Sequence, residues 1–398
     1  MLDAGPRTGW PIPLDDPYPT LRRLREAGPV HRLPELECYL VVSYAEATAV
    51  LQGSEWSSDP TTSSRLATRL GVPAAARELV ARSLLMSDPP GHTRLRRALS
   101  GHFTARTIEG LRGRIAGIVD SAFSSHEPGE ALEVMDEIAY PVPLAVICEL
   151  LDAGVDAAEL LRRETPRMAA MLDPLAGSEA MEAGAAAAFT TMLELVPLVA
   201  ERTNYPGGDL LSALVADMNG ATVLDADEAI VMGLLLLAAG HETTANLIGN
   251  AVIDLRDHPD AARRLRGRPE LLPTALEELL RYGSPIQLTS RVAKTDIRLG
   301  DLVVNEGEQV LVCLAAANRD GAVFPDPDRL DLARDARGHL ALGRGGHFCA
   351  GAALARAEGQ AVLGRLLTLD PPFEERSATV ERGGSPTFRR VSKLVLEA

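Results

Sequence analysis

The chain has 398 residues, 46% of them hydrophobic and 24% charged, which is ample for a large buried core. Such a composition excludes collagen-like, mucin-like and wholly disordered chains. Net charge is −15 at pH 7, so nonspecific nucleic-acid binding has no global electrostatic support.

Four cysteines, Cys38, Cys148, Cys313 and Cys349, are too few for a disulfide framework, and none forms a Cys-x-x-Cys pair. The stretch Met1 to Thr20 holds five prolines and acidic residues where a secretory signal needs a basic segment and an apolar run. A soluble, reducing, cytoplasmic setting is expected.

Pro19 to Ala27 reads as a helix stopped by Gly28-Pro29. Val30 to Leu33 and Cys38 to Val42 read as a strand pair, and Tyr44 to Leu51 as helix. Asp88 to Arg97 places His92 and Arg96 four apart on one helical face, suited to a carboxylate ligand or simply to solvent. Ser178 to Arg202 is an Ala-rich helix. The apolar run Ala229 to Gly240 is too short to span a bilayer and reads as buried helix. It belongs to a longer helix that starts with an Asp225/Glu228 capping box and runs to about Asp257, before Pro259. Its length is about 45 Å at ~1.5 Å per residue. Gly233, Gly240 and Gly249 weaken it, which points to a close approach by something flat or bulky.

Within that helix lies Ala239-Gly240-His241-Glu242-Thr243-Thr244. The Thr243 hydroxyl can bond the Ala239 carbonyl. Glu242 puts a carboxylate in a buried helix, which requires a partner or a wet edge. His241-Glu242 begins a zinc-protease motif, but position 245 is alanine, so one ligand is missing. Pro273 to Tyr282 is a short helix in which Glu278 and Arg281 can form an i, i+3 ion pair. After Pro285 the texture changes to short strands: Ile297 to Leu302, Gln309 to Leu314 and Lys393 to Leu396. Between them, Leu342-Gly343-Arg344-Gly345-Gly346-His347-Phe348-Cys349-Ala350-Gly351 runs a glycine-rich loop into a cysteine, ahead of the helix Ala352 to Leu367. A thiol there is either a stabilised thiolate or an inert buried cysteine. The third glycine of a dinucleotide-binding motif is absent, as are hydrolase-elbow and Walker loops.

In this order, His-x-x-x-Arg, Ala-Gly-x-Glu-Thr-Thr, Glu-x-x-Arg and the Gly-rich Phe-x-Cys-x-Gly loop resemble a cytochrome P450 of the soluble bacterial type. The resemblance extends from Asp16 to Glu358 and includes Asn318-Arg319-Asp320 and Phe324-Pro325-Asp326-Pro327. It implies a mostly α fold in a single domain over 1–398, with small β regions near 30–42 and 286–314 and a long helix crossing the distal face of haem b. By resemblance Cys349 is the axial iron ligand, in a loop where Leu342, Gly343 and Gly351 border the haem. His92, Arg96, Arg291 and His347 match propionate-binding positions. Ala239 and Gly240 leave room for dioxygen, Glu242 and Thr243 relay protons, and Glu278–Arg281 is a structural ion pair. Leu235, Leu236, Ala239, Ile286, Gln287 and Leu288 are expected to line the substrate pocket, under a roof from Ser57 to Met86 and Met168 to Leu172. Leu342 departs from the family's usual phenylalanine and removes an aromatic shield near the sulfur.

The implied activity is that of a monooxygenase: insertion of one oxygen atom from dioxygen into an apolar secondary metabolite. Electrons come from a ferredoxin and ferredoxin reductase, since the sequence carries no flavin or iron–sulfur motif. Arg94, Arg97, Arg106, Arg112 and Arg344 are candidate basic contacts for that partner. A monomer with no membrane span and no nucleic-acid partner is expected. The alternatives are a peroxide-driven or oxygen-independent haem enzyme of the same fold, and a non-catalytic haem-fold binding module.

Overall fold

The computed structural model describes residues 10–63, 82–124, 126–127, 129–216 and 223–397, and at 155–158 the backbone alone. The first helix, Tyr18–Ala27, carries Pro19 in its opening turn, where a missing N–H costs nothing, and the Gly28 amide closes it on Leu24 O. The expected strand pair follows as Val30–Leu33 and Cys38–Val41. It forms one edge of a five-stranded sheet in the order Val30–Leu33, Cys38–Val41, Gln309–Cys313, Leu288–Ala293, Trp56–Ser57. The Cys38 and Gln309 strands run parallel and the other pairs antiparallel. A second sheet joins Leu132–Glu133, Val391–Glu397 and Ser377–Arg382.

Two strand expectations change. Ile297 to Leu302 is not one strand but the start of a hairpin, Ile297–Leu299 with Leu302–Val304. Gly300, at φ 59°, supplies the left-handed turn that folds it back. Strand Leu288–Ala293 escaped the sequence pattern because Thr289, Ser290 and Arg291 interrupt its apolar run.

The helical core is built around Ala226–Asp257, hereafter the central helix, with its Asp225/Glu228 capping box in place. Helices Ser178–Asn204, Pro141–Leu151, Leu272–Gly283 and Ala352–Leu366 pack against it. Two of its three glycines are explained by that packing. A Cβ on Gly249 would lie 2.7 Å from Met135 Sδ, and one on Gly233 would lie 3.2 Å from Leu195 Cδ1. A Cβ on Gly240 would meet no atom of the described residues within 4 Å. By length and composition the central helix and Ser178–Asn204 could each cross a membrane. The central helix is nevertheless mostly buried inside the protein, whereas Ser178–Asn204 exposes Phe189, Leu193 and Val196.

Two buried carboxylates tie the elements together. Glu278 and Arg281 are fully buried and paired through both guanidinium and carboxylate ends, at 2.7 and 2.8 Å. Arg281 also donates to the carbonyls of Asn318 and Pro327, both at 2.8 Å, and Glu278 accepts from Asp331 N and Arg334 Nε. Every strong donor and acceptor in the pair is used, which is the condition for tolerating buried charge. Glu358, on the helix that follows Cys349, is held by Thr244 of the central helix, and burial raises its pKa to about 8.

Removing one member of the first pair strands the other. Arg281→Leu is expected to lower unfolding free energy by about 3–5 kcal/mol. Urea denaturation of the two proteins checks this, and an unchanged midpoint refutes it. For Glu358, the folded state favours the protonated carboxyl. Its stabilising contribution is complete below the ordinary value of 4.5 and is lost as pH rises through about 8. Glu358→Gln, which keeps a bond to Thr244 without titrating, is therefore expected to gain in melting temperature over the natural protein from about pH 5 to about pH 9. Parallel melting curves across that range would contradict the assignment.

Candidate active site

The cysteine loop is a tight turn that leads into helix Ala352–Leu366. Gly343 and Gly345 have φ of 70° and 72°, a region that side chains other than glycine rarely adopt. Gly345 is doubly constrained, because a Cβ there would lie 2.6 Å from the Leu51 carbonyl oxygen. The loop thus seats directly on the C-terminal end of helix Tyr44–Gln52. Arg344 Nη1 donates to Tyr44 OH at 2.7 Å on the same helix. Inside the loop the Cys349 amide donates to Leu342 O at 2.8 Å. Burial raises the Cys349 thiol pKa, while the Gly351 amide and the charges of Arg96 and Arg356 pull the other way. A bound cation that replaces the thiol proton would reverse the burial effect.

At this loop lies a cluster of donors with few acceptors among the described residues. The rings of His92 and His347 sit 4.1 Å apart, centroid to centroid. His92 Nε2 is buried with no hydrogen-bond partner among the described residues. Arg291 is buried, donates to Ser290 O at 2.7 Å, and makes no ion pair among the described residues. Burial depresses all three: Arg291 to about 10, with Asp88 opposing, and His347 to about 3, where Arg291 and His92 add to the effect. His92 is lowered by burial and then by Arg96. Such a cluster is complementary to an anion, and specifically to carboxylates.

The central helix supplies a third element. Leu235, Leu236, Ala239, Gly240 and Thr243 are partly accessible, although most of their helical neighbours are buried. Their spacing puts Leu236, Ala239, Gly240 and Thr243 on one stripe. Thr243 Oγ1 donates to Ala239 O at 2.6 Å. Glu242 faces elsewhere and is buried. Its Oε1 accepts from Asn246 Nδ2 at 3.3 Å and lies 3.4 Å from Arg390 Nε; its Oε2 has no partner among the described residues. Burial raises the Glu242 pKa, and Arg390 opposes that shift. No direct side-chain bond joins Glu242 to Thr243 among the described residues, so a relay between them needs water or rotation of the carboxylate. His241 is also buried, donates to Tyr140 O at 3.0 Å, and is pushed by burial to about 4, so it is neutral near pH 7.

The expected pocket residues divide. Leu235, Leu236 and Ala239 lie on the open stripe. Met168, from the expected roof, packs with Ala187 of helix Ser178–Asn204 and with Ala238 of the central helix. The stretch 64–81 of that roof lies outside the described residues. Ile286 pairs with Phe388 through an isolated β-bridge. Gln287 Nε2 donates one of its two N–H groups to Ser284 O at 2.7 Å. Leu288 lies apart from Arg291. Strand alternation turns it to the sheet face opposite Arg291, where it packs with Ile12, Leu21 and Leu311. Thr289 shares the Arg291 face and was not anticipated. Neither were Glu358 and Arg390, whose importance comes from partners far away in sequence. Of the basic candidates for a redox partner, Arg94 pairs with Glu228, Arg112 with Glu109, and Arg344 with Tyr44. Arg97 and Arg106 are exposed and form no ion pair among the described residues.

The haem that the sequence implies fits these features. Its carboxylates match the donor cluster, its iron matches the loop sulfur, and its flat ring matches a helix stripe that offers small residues and an unfilled Gly240. Comparison with known proteins agrees. A family model described as cytochrome P450 matches residues 268–369. Cytochrome P450 107B1 of Saccharopolyspora erythraea is 46% identical, over 72% of this chain and 70% of its own. The 6-deoxyerythronolide B hydroxylase of the same organism is 39% identical, over 87% of each chain. Among solved structures, epothilone D-bound cytochrome P450epoK superposes with a TM-score of 0.88 at 27% identity, covering 98% of both chains. With the thiol loop, the donor cluster and the open helix stripe all in one fold, the chain belongs to the cytochrome P450 family.

Proposed function

We propose that this enzyme is a haem-thiolate monooxygenase that hydroxylates or epoxidises an apolar secondary metabolite. The observation that carries this reading is the cluster of Arg291, His92 and His347 beside the Cys349 loop, where buried donors outnumber acceptors. The bound group is haem b in our reading. Cys349 would hold its iron, and His92, Arg96, Arg291 and His347 its propionates. Bound there, haem supplies dioxygen activation and insertion of one oxygen atom, the other leaving as water.

The chain's own residues do the rest. The Gly351 amide and the Leu342–Gly351 turn hold the sulfur in one orientation. Ala239 and Gly240 keep side chains off the helix stripe where small reactants must approach. Thr243 holds a hydroxyl at that stripe, with its proton parked on Ala239 O. Glu242 is the group that brings protons to it. Leu235, Leu236, Ala239 and Ile286 give the substrate an apolar wall, Gln287 Oε1 and Thr289 its polar contacts. A polyketide-sized substrate agrees with the names of the 6-deoxyerythronolide B hydroxylase and of the epothilone-bound relative. In this proposal a ferredoxin and its reductase supply the electrons and dock near Arg97 and Arg106. The enzyme works as a cytoplasmic monomer of one domain, a setting that agrees with four free cysteines.

Two measurements test this. Dithionite-reduced protein treated with carbon monoxide is expected to give a strongly red-shifted Soret band, and Cys349→Ser is expected to lose it. A band that survives in the variant overturns the ligand assignment; no haem absorption in the natural protein overturns the function. Arg291→Leu removes a charged donor and is expected to speed haem transfer to apomyoglobin by roughly tenfold or more, the worth of one hydrogen bond to a charge. Equal transfer rates would remove Arg291 from the propionate site.

A further inference from the structure

The central helix carries four buried polar residues at intervals of four: Glu242, Asn246, Asn250 and Asp254. They form one stripe, and the C-terminal segment around Arg382–Val391 answers each of them. Arg390 faces Glu242, the Val391 amide donates to Asn246 Oδ1 at 3.1 Å, Arg382 donates to Asn250 Oδ1 at 2.9 Å, and Arg389 lies 3.9 Å from Asp254. The two middle positions are closed by short hydrogen bonds. At Glu242 the contact is looser, 3.4 Å, and one carboxylate oxygen is unpartnered among the described residues. Asp254 is twelve residues beyond Glu242, about 18 Å along the helix, and so is out of reach of Thr243.

Arg390 differs from its neighbours in a second way. Its side chain is 35% exposed while that of Glu242 is 2% exposed. Arg390 therefore spans from solvent to a sealed carboxylate. It does so at a cleft walled by Trp10, Ile12, Leu14 and Phe388, with Gly383 and Arg390 also in its lining. Gly383 makes space for it, since a Cβ there would lie 2.9 Å from Arg390 Cδ. The hairpin tip is itself fixed, because Ser385 and Thr387 both donate to Asp173 at 2.5 Å.

We propose that Arg390 is the positioning residue for Glu242, and that the cleft above it is the inlet through which solvent protons reach that carboxylate. This rests on the reading that Glu242 supplies protons to Thr243. A proton enters from the cleft, binds the unpartnered Oε2 of Glu242, and passes by water or by rotation of the carboxyl to the Thr243 oxygen as the Thr243 hydroxyl gives up its own proton to the reactant at the helix stripe. Glu242 is left ionised beside the Arg390 guanidinium, ready for the next proton. The other groups facing Glu242 are neutral near pH 7. Tyr140, from the turn before helix Pro141–Leu151, shares Arg390 with Glu242 through a side-chain hydrogen bond, and burial and Glu242 raise its pKa to about 12. On the central helix, Asn246 is uncharged and His241 is neutral near pH 7.

The test uses the haem-loaded enzyme and the variants Arg390→Leu, Arg390→Lys and Gly383→Val, the last chosen to displace the Arg390 stem without removing its charge. The first readout needs no turnover: infrared difference titration of the carboxyl band that is lost in Glu242→Gln. Arg390→Leu is expected to move its ionisation upward by about one pH unit or more, as loss of a nearby opposite charge requires. The second readout uses 7-ethoxycoumarin as probe substrate with a surrogate ferredoxin pair. Product formed per NADH is expected to fall about tenfold in Arg390→Leu, with a larger solvent isotope effect and an unchanged KM. Arg390→Lys should lie between, and Gly383→Val should reproduce the loss. Should Arg390→Leu fail to fold, Arg390→Lys and Gly383→Val carry both readouts. An unmoved carboxyl titration, or wild-type coupling in all three variants, overturns the proposal. Failure of the functional reading looks different: the unmodified enzyme then lacks the red-shifted carbon monoxide band, while the infrared titration still reports on Arg390.

Discussion

A helix of 32 residues buried along most of its length constrains everything packed around it. Its backbone groups satisfy one another, but its polar side chains cannot, and each must find a partner from another element. The stripe Glu242, Asn246, Asn250 and Asp254 faces the C-terminal segment, which delivers three arginines and a main-chain amide to it. The stripe Leu236, Ala239, Gly240 and Thr243 is left partly open. One helix thus separates a polar seam from a partly accessible face, and Glu242 and Thr243, adjacent in sequence, stand on either side of that divide.

Two charged clusters illustrate opposite uses of burial. In the Glu278–Arg281 cluster almost every donor meets an acceptor at hydrogen-bond distance. It locks the helix Leu272–Gly283 to the loops around Asn318 and Asp331 and offers nothing to a ligand. In the cluster of His92, Arg291 and His347 no carboxylate answers the donors among the described residues, His92 Nε2 has no partner there, and desolvation weakens the protonated forms. Such an arrangement is costly in isolation, and is the arrangement expected of a receptor for a dianionic cofactor. Saturation marks scaffold and deficit marks site. The distinction is one of hydrogen-bond geometry, since both clusters consist of ordinary titratable residues.

Much of this was legible before any coordinates. Capping chemistry fixed the start of the central helix at Asp225, and Gly28 ended the first helix where expected. The cysteine loop, the Ala239–Thr244 segment and the Glu278–Arg281 spacing are local patterns, and local patterns survive folding because neighbours in sequence stay neighbours in space. Where expectations failed, the cause was a single residue with geometric consequences. Gly300 turned one expected strand into a hairpin. The alternation of strand Leu288–Ala293 put Leu288 on the face opposite Arg291 and Thr289 on the same face as Arg291.

Residue types and short-range spacing, then, determined the family, the cysteine loop and the helix that carries Ala239–Thr244, because those depend on chemistry within a turn or two of backbone. Tertiary structure alone decided which glycine is left uncovered, which carboxylates are paired, and which arginine reaches Glu242. Arg390 lies 148 positions from that glutamate. Contacts over such separations are set by how sheets and helices pack, and neither periodicity nor composition carries that information.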